Sequence, residues 1–498
     1  MPQLELFSTS PVSRKDAGAY YTPDHVVWSL VRWAVRSEAD LMLDPACGDG
    51  RFISSHAHSI GVERDRQAAA VAKQRSPLSR VHSGDFFDWA AITSERFDCA
   101  AGNPPFIRYQ TFSGEVRERA FRLSAKLGAD FTGLTASWAP FLVVTASLLR
   151  LGGRMAFVVP AAIGHAPYAA PLLEYLIGNF ATVQIVAVRE KFFPELSEDC
   201  WLLYADGHGG ATEEIRFSVV DWFALSAEPP RQAASVPVAE WRRTWNRRLR
   251  PYLLNDSIRR IYQSIAIRQD SRAFGDLATI GIGYVSGANR FFHLRPSEAD
   301  FWRIPEDYLQ PTVRNGKVLP DRELTVDTIR AWLRRDQPMM LLRVPKTAQL
   351  PRSVANYLAT EQGRRARQAY KCRMRHPWYS VPDVKVPDFF LTYMSGRAPS
   401  LVRNSASATC TNALHAVRVH REGDVDLILR RWSSPFVRLS CELEGHPLGG
   451  GMLKLEPREA ARIVLPCTEK ISTDALIEID EGASVMRAWR HYPMERWN

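Results

Sequence analysis

The sequence predicts an α/β fold: a Rossmann-like domain with a mostly parallel sheet flanked by helices, followed by a second domain of mixed α/β structure. Three observations carry this. Between residues 41 and 205, short apolar runs (LMLDPA, SIGVE, RVHSGDFF, FDCAAG, RMAFVVP, TVQIVAV, CWLLYA) alternate with helical patterns. Strands separated by helices build parallel βαβ units. The first three runs carry acidic residues at their ends, Asp44, Glu63 and Asp85, where open α/β sheets bind ligands. The texture then changes. GHGGATEE and SAEPPRQAASVP read as a linker, WRRTWNRRLRP carries five arginines in eleven residues, and 270–466 is irregular and rich in Pro, Gly, Arg and aromatics. The domain expectation is 1–230 for the sheet domain, 231–269 for a basic connector, 270–466 for the second domain and 467–498 for a helical tail.

Composition narrows the class of function. The 498 residues carry a net charge of +10, which favours a polyanionic partner. Seven cysteines are scattered without a CxxC pair, against a disulfide framework or zinc site and for a reducing cytosol. No secretion signal or membrane-length apolar run is present, so a cytoplasmic protein with no membrane partner is expected, without metal.

The elements follow in order. LMLDPACGDGRF (41–52) is a strand ending in Asp44 and a turn with Gly48 and Gly50; Ile53 stands where a dinucleotide fingerprint needs glycine. GVERD places Glu63 at the next strand end to accept both hydroxyls of a ribose. SGDFF ends the third, where Asp85 would accept an exocyclic amine and Phe86 cover an adenine face. An amino-acid head, a ribose and an adenine match S-adenosyl-L-methionine better than NAD. The fourth strand ends in AGNPPF (101–106). Pro104 and Pro105 fix φ and supply no N–H, and Asn103 is pushed out of the helical region. The result is a stiff loop with carbonyls that no local donor satisfies, offered to a ligand carrying N–H groups.

With these motifs the chain resembles the gamma-class N6-adenine DNA methyltransferases of restriction–modification systems, over most of its length. That family orders a motif similar to GAYYTP (18–23), the glycine turn, the ribose acid, the DF pair and NPP(F/Y), then a target-recognition domain. The resemblance implies a class I methyltransferase domain, S-adenosyl-L-methionine as cofactor, and a cofactor pocket lined by Thr22, Pro23, Asp44, Pro45, Ala46, Cys47 and Gly48. Glu63 would take the ribose, Asp85 and Phe86 the adenine, and Asn103 and Pro105 would border the same pocket. Asp49 departs from the commoner serine, and the segment from Gly50 to Glu63 is short. GIGYVSGANRFFHL (281–294) is similar to the recognition domain's entry motif, and GHPLGGGMLKLEPREAARIVLP to a closing segment. In RRARQAYKCRMRHPWY, the six Lys/Arg of 364–375, among them Arg364, Arg365 and Arg367, read as phosphate contacts. A solvated helix face is the alternative.

The resemblance also gives NPPF a chemistry. Adenine N6 is a poor nucleophile because its lone pair is delocalised into the ring. Acceptors at the Asn103 side-chain oxygen and the Pro104 carbonyl would draw density toward the nitrogen, held rigid by the prolines. Phe106 would stack on a base flipped out of the duplex, and Phe193 in KFFPELSEDC would clamp its other face, unless it is a core residue at a strand end. The expected function is a stand-alone, monomeric, site-specific methyltransferase on double-stranded DNA, paired with a separately encoded endonuclease. RNA N6-adenine or guanine-N2 methylation, protein-glutamine methylation and a non-catalytic DNA-binding subunit use related motifs. A fused nuclease is disfavoured because only about forty residues precede the glycine turn.

Overall fold

A computed structural model describes residues 22–194, 198–231, 234–346, 349–467 and 471–492. Residues 18–21 of GAYYTP and 195–197 of the Phe193 segment lie outside them. The chain divides into two units, Met1–Leu253 and Leu254–Asn498.

In the first unit all seven runs form strands: β1 (Met42–Asp44), β2 (Ser59–Glu63), β3 (Arg80–Ser83), β4 (Phe97–Gly102), β5 (Leu149–Pro160), β6 (Phe180–Val188) and β7 (Cys200–His208). Two more continue the sheet through the stretch read as a linker: β8 (Glu214–Val220) and β9 (Ala234–Pro237). EIRFSVV alternates so that Ile215 and Phe217 are fully buried, and period-two burial overrides the Gly- and Pro-rich flanks. The order is β3-β2-β1-β4-β5-β7-β6-β8-β9. The run from β3 to β5 is parallel, and β7 is antiparallel to both β5 and β6.

Helices cover the sheet: α1 (Asp24–Ala34), α2 (Arg66–Arg75), α3 (Phe86–Ala90), α4 (Gly114–Lys126), α5 (Trp138–Ser147), α6 (Ala169–Asn179) and α7 (Val238–Arg243). α1 lays Val26, Val27, Leu30 and Val31 into a core with Cys99, Ala101, Ala156 and Val158. From β1 the chain winds outward to β3, then returns to β4 on the other side of β1. That reversal opens a crevice at the carboxyl ends of β1 and β4, and register Leu43↔Ala100 aligns the glycine turn with NPPF.

The expected basic connector 231–269 is corrected in part. Arg242 on α7 grips Glu174 of α6 at 2.6 Å, and Arg247 reaches the same carboxylate at 3.2 Å. Arg248 and Arg250 are buried. Four of the five arginines thus tie residues up to Leu253 to the first unit.

The second unit holds a five-stranded sheet in the order Ala278–Ile282, Leu414–Val419, Phe389–Thr392, Leu401–Asn404, Glu323–Leu324. A four-stranded sheet is built from His293–Leu294, Met340–Leu342, Leu309–Val313 and Thr409–Cys410. The tail forms the helix Thr473–Ala488, capped by Ser472, but it is not merely appended. Arg490, 1% exposed, bonds Glu442 at 2.8 Å and the carbonyls of Gly396 and Arg397 at 2.7 and 2.9 Å; it also donates to that of Gly451. It ties the Gly450–Gly451 turn, both residues at positive φ, to the helix Pro435–Glu444.

Candidate active site

At the end of β1 the chain turns sharply. Gly48 and Gly50 adopt φ of +53° and +88°, and a Cβ on Gly50 would stand 2.9 Å from the Ala72 Cα of α2, so glycine lets helix and turn approach closely. The Asp44 carboxyl hangs into the crevice. Its Oδ1 accepts from the Ala46 N–H at 3.1 Å, while Oδ2 is buried with no hydrogen-bond partner. Gly102 at the end of β4 makes the room, since a Cβ there would lie 2.7 Å from Asp44 Oδ1. Burial first, then the neighbouring Glu63 and Asp49 carboxylates, push the Asp44 pKa up to about 8.

Glu63 closes the turn from β2. Its Oε2 accepts from Gly48 N–H at 2.9 Å and its Oε1 from Asp65 N–H at 2.6 Å, and burial raises its pKa. Cys47 is buried, with a thiol pushed well up by desolvation and the three carboxylates, so it is inert. The departure at Asp49 is compensated: Arg75 holds its carboxylate at 2.6 Å and Arg51 at 3.5 Å, and Arg51 also reaches Asp24 at 3.0 Å. From Gly50 to Glu63 a single 3-10 turn (Ile53–Ser55) makes the crossover.

Asp85 caps α3, its Oδ1 accepting from Phe87 and Asp88 N–H at 3.0 and 3.2 Å. Phe86 is 3% exposed and stacks on Phe141 of α5, centroids 5.1 Å apart at 17°. One of its faces is therefore already covered.

The NPPF loop leaves β4 without regular structure. The Asn103 amide N–H donates to Thr22 Oγ at 3.2 Å, joining the segment before α1 to the loop. The Pro105 carbonyl is not left open, because the Ser137 hydroxyl donates to it from 32 residues away; Ser137 Oγ in turn accepts from Ile107 N–H at 3.0 Å. Among the described residues no donor reaches the Pro104 carbonyl. Phe106 is half-buried against the core cluster that contains Phe192 and Phe193, and Phe193 is 3% exposed. The structure thus brings Asp44, Glu63, Asn103 and Thr22 around one crevice, Pro45, Ala46 and Gly48 lying in its turn and Pro23 beside Thr22. Asp85 and Phe86 sit at the neighbouring strand end, and Phe193 lies in the core.

In the second unit, Arg364, Arg365 and Arg367 stand exposed on the helix Glu361–Gln368, whose Gly363 and Ala366 are buried. Arg365 pairs with Glu361. Tyr284 of the entry motif is buried, its hydroxyl bonded to His293 Nε2 at 2.8 Å and Thr312 Oγ at 2.7 Å. Burial pushes the His293 pKa down to about 4. Sequence reasoning missed Ser137, Arg75 and Arg51. Ser137 sits in LTASWAP, with no local signature, and only the fold carries it to the loop.

A buried carboxylate with an idle oxygen, flanked by two more, fits a ligand that is cationic there and bears a diol near Glu63. S-adenosyl-L-methionine has both. Fold and site together define a Rossmann-like methyltransferase with a mixed α/β second domain.

Residues 60–193 match the Eco57I restriction-modification methylase model and residues 246–490 the C-terminal domain of Type II methyltransferase M.Eco57I. The chain is 20% identical over 497 residues to Type II methyltransferase M.AccI of Acinetobacter calcoaceticus, covering 95% of this chain and 90% of that protein. It is 24% identical over 489 residues to M.XamI of Xanthomonas campestris pv. amaranthicola, covering 91% and 86%. A solved structure of the Type IIL restriction-modification enzyme MmeI in complex with DNA aligns at 14% identity and TM-score 0.47, over 83% of this chain and 59% of that one. The chain belongs to the Eco57I-type restriction–modification methylase family. It is a DNA methyltransferase whose methyl donor is S-adenosyl-L-methionine. No described helix is long and apolar enough to cross a membrane.

Proposed function

We propose that this methyltransferase acts on N6 of an adenine flipped out of double-stranded DNA at a defined sequence. It would work as a monomer that protects host DNA beside a separately encoded endonuclease. One observation carries the atom choice: a rigid pair of acceptors at the end of β4. Asn103 is oriented by Thr22, and the Pro104 carbonyl has no competing donor among the described residues. Two acceptors on one exocyclic amine orient both N–H bonds and draw electron density onto the nitrogen. Ser137 holds the rest of the loop still.

S-adenosyl-L-methionine, when bound, supplies a methyl group on a positively charged sulfur. Asp44 would meet the cationic end, Glu63 the ribose hydroxyls, and the second oxygen of Asp85 the exocyclic amine. Cys47 and Pro105 would contribute wall, and Phe86 an edge. Phe106 would stack on the target base. Phe193 can serve as the opposite face only if a flipped base uncovers it, at the cost of its core contacts. Arg364, Arg365 and Arg367 would hold phosphate.

The test is transfer of tritium from labelled cofactor into duplex DNA, single-stranded DNA and RNA, with the modified nucleoside identified by mass spectrometry. N6-methyl-2′-deoxyadenosine from duplex DNA is expected. Methylcytosine, or transfer only to RNA, would overturn the reading.

A further inference from the structure

The second unit contains a short helix, Tyr370–Arg373, that presents two opposite faces. Met374 N–H bonds the Tyr370 carbonyl at 3.2 Å, completing a turn. Cys372 is fully buried, whereas Tyr370 and Met374, four residues apart on the other side, are 62% and 65% exposed. At about 100° per residue the two exposed side chains share a face turned away from the cysteine.

This turn is fastened to the entry motif. Arg375 donates to the carbonyls of Val285 and Ser286, the latter at 2.8 Å, and Cys372 Sγ lies 3.6 Å from the Ser286 carbonyl. Gly287, at φ +83°, lets the two segments touch, for a Cβ there would stand 2.9 Å from that of Lys371. The same short stretch of chain carries Arg364, Arg367, Lys371 and Arg373, and Arg290 lies in the entry motif just after Gly287; all five are exposed. None has an ion-pair partner among the described residues. Lys371 Nζ lies 5.8 Å from the Tyr370 ring centroid.

Unpaired cations fit a polyanion, but cations alone do not explain an aromatic ring and a thioether left exposed in the same stretch of chain. A partner that offers phosphates beside flat apolar faces explains both. Methionine is among the side chains that wedge between base steps, and aromatic rings stack on bases. We propose that Tyr370 and Met374 contact base or sugar faces of duplex DNA while Lys371, Arg373, Arg364 and Arg367 hold the flanking phosphates. Arg375 is the positioning residue that locks this edge to the 284–289 loop. The proposal rests on the duplex-DNA reading above.

The experiment is fluorescence-anisotropy binding of a labelled duplex across a salt titration, with melting curves for each variant. Tyr370→Ala and Met374→Ala are expected to weaken binding by between about fivefold and a hundredfold, with the salt slope unchanged. Lys371→Gln, Arg364→Gln and Arg367→Gln are each expected to lower the slope by about one unit. Arg365→Gln should lower it less, because Glu361 already neutralises that charge. In an Arg375→Ala background, Tyr370→Ala should cost much less than in the wild type. If the two alanine variants bind like wild type, or change the slope as the lysine variant does, the wedge falls and the pair is solvated surface. Equal or tighter wild-type binding to duplex RNA would overturn the choice of partner. A wild-type protein that binds no duplex DNA at low salt would instead remove the reading beneath it.

Discussion

Thr22 decides how the Asn103 amide is turned. With its N–H given to the hydroxyl at 3.2 Å, the oxygen is the end that can accept from a base. Asn103→Ala is expected to abolish transfer while cofactor binding and melting temperature stay near normal. Thr22→Val should lower turnover by up to about a hundredfold, as small misplacements at a reacting centre do, and Thr22→Ser should restore most of it. Single-turnover kinetics beside calorimetric cofactor titration separates the two effects. If Thr22→Val and Thr22→Ser behave alike, the hydroxyl does not orient the amide.

Asp44 makes a pH prediction at the same scale. Its folded pKa, near 8, is raised above the ordinary carboxylate value of 3.8. The group therefore favours folding fully below about pH 4, and that contribution is lost as pH rises toward 8. Free of cofactor, the protein should lose stability across that window, and Asp44→Asn should flatten the dependence. A cationic ligand prefers the ionised carboxylate, so cofactor affinity should rise with pH up to about 8, with proton release on binding. Calorimetry in buffers of different ionisation enthalpy measures that release, and its absence would separate Asp44 from the cation.

Among elements, the joint between α5 and the NPPF loop matters most. Ser137, just ahead of Trp138, donates to the Pro105 carbonyl and accepts from Ile107 N–H. Ser137→Ala leaves two part-buried backbone groups short of a partner, at a cost of about 1 kcal/mol. A loosened loop should reduce the chemical step more than cofactor affinity. Equal loss in both would place Ser137 in the cofactor site itself. Nothing in LTASWAP announces this role, because a serine's partner 32 residues away is chosen by how α5 packs. The glycine turn is different: its positive φ values and its acidic strand end are local requirements, so they stood open in the residue string.

At the scale of the whole molecule, the buried Arg490 holds loops of the second unit in place. Arg490 has a fully buried side chain and pairs with Glu442, itself 3% exposed. Removing one partner of a buried pair leaves an uncompensated charge and typically costs about 3–5 kcal/mol. Arg490→Ala should therefore lower the melting temperature sharply, with a smaller loss when Glu442→Gln is added. Comparable loss in single and double variants would mean that the carbonyl bonds, not the ion pair, matter.

By itself, the sequence determined the alternation of strands and helices, the glycine turn, the carboxylates at strand ends and the stiff NPPF loop. These depend on φ limits, side-chain period and chain order, which act within a few residues. Only the tertiary structure decided that β8 and β9 extend the sheet through an apparent linker. It also decided that four of five connector arginines serve Glu174 and the interior, and that Phe86 and Phe193 are buried. The same holds for the clip from Arg375 to the entry motif. Burial and long-range pairing depend on which surfaces meet, and charge or aromaticity in a residue string does not specify whether a side chain meets solvent, a ligand or its own core.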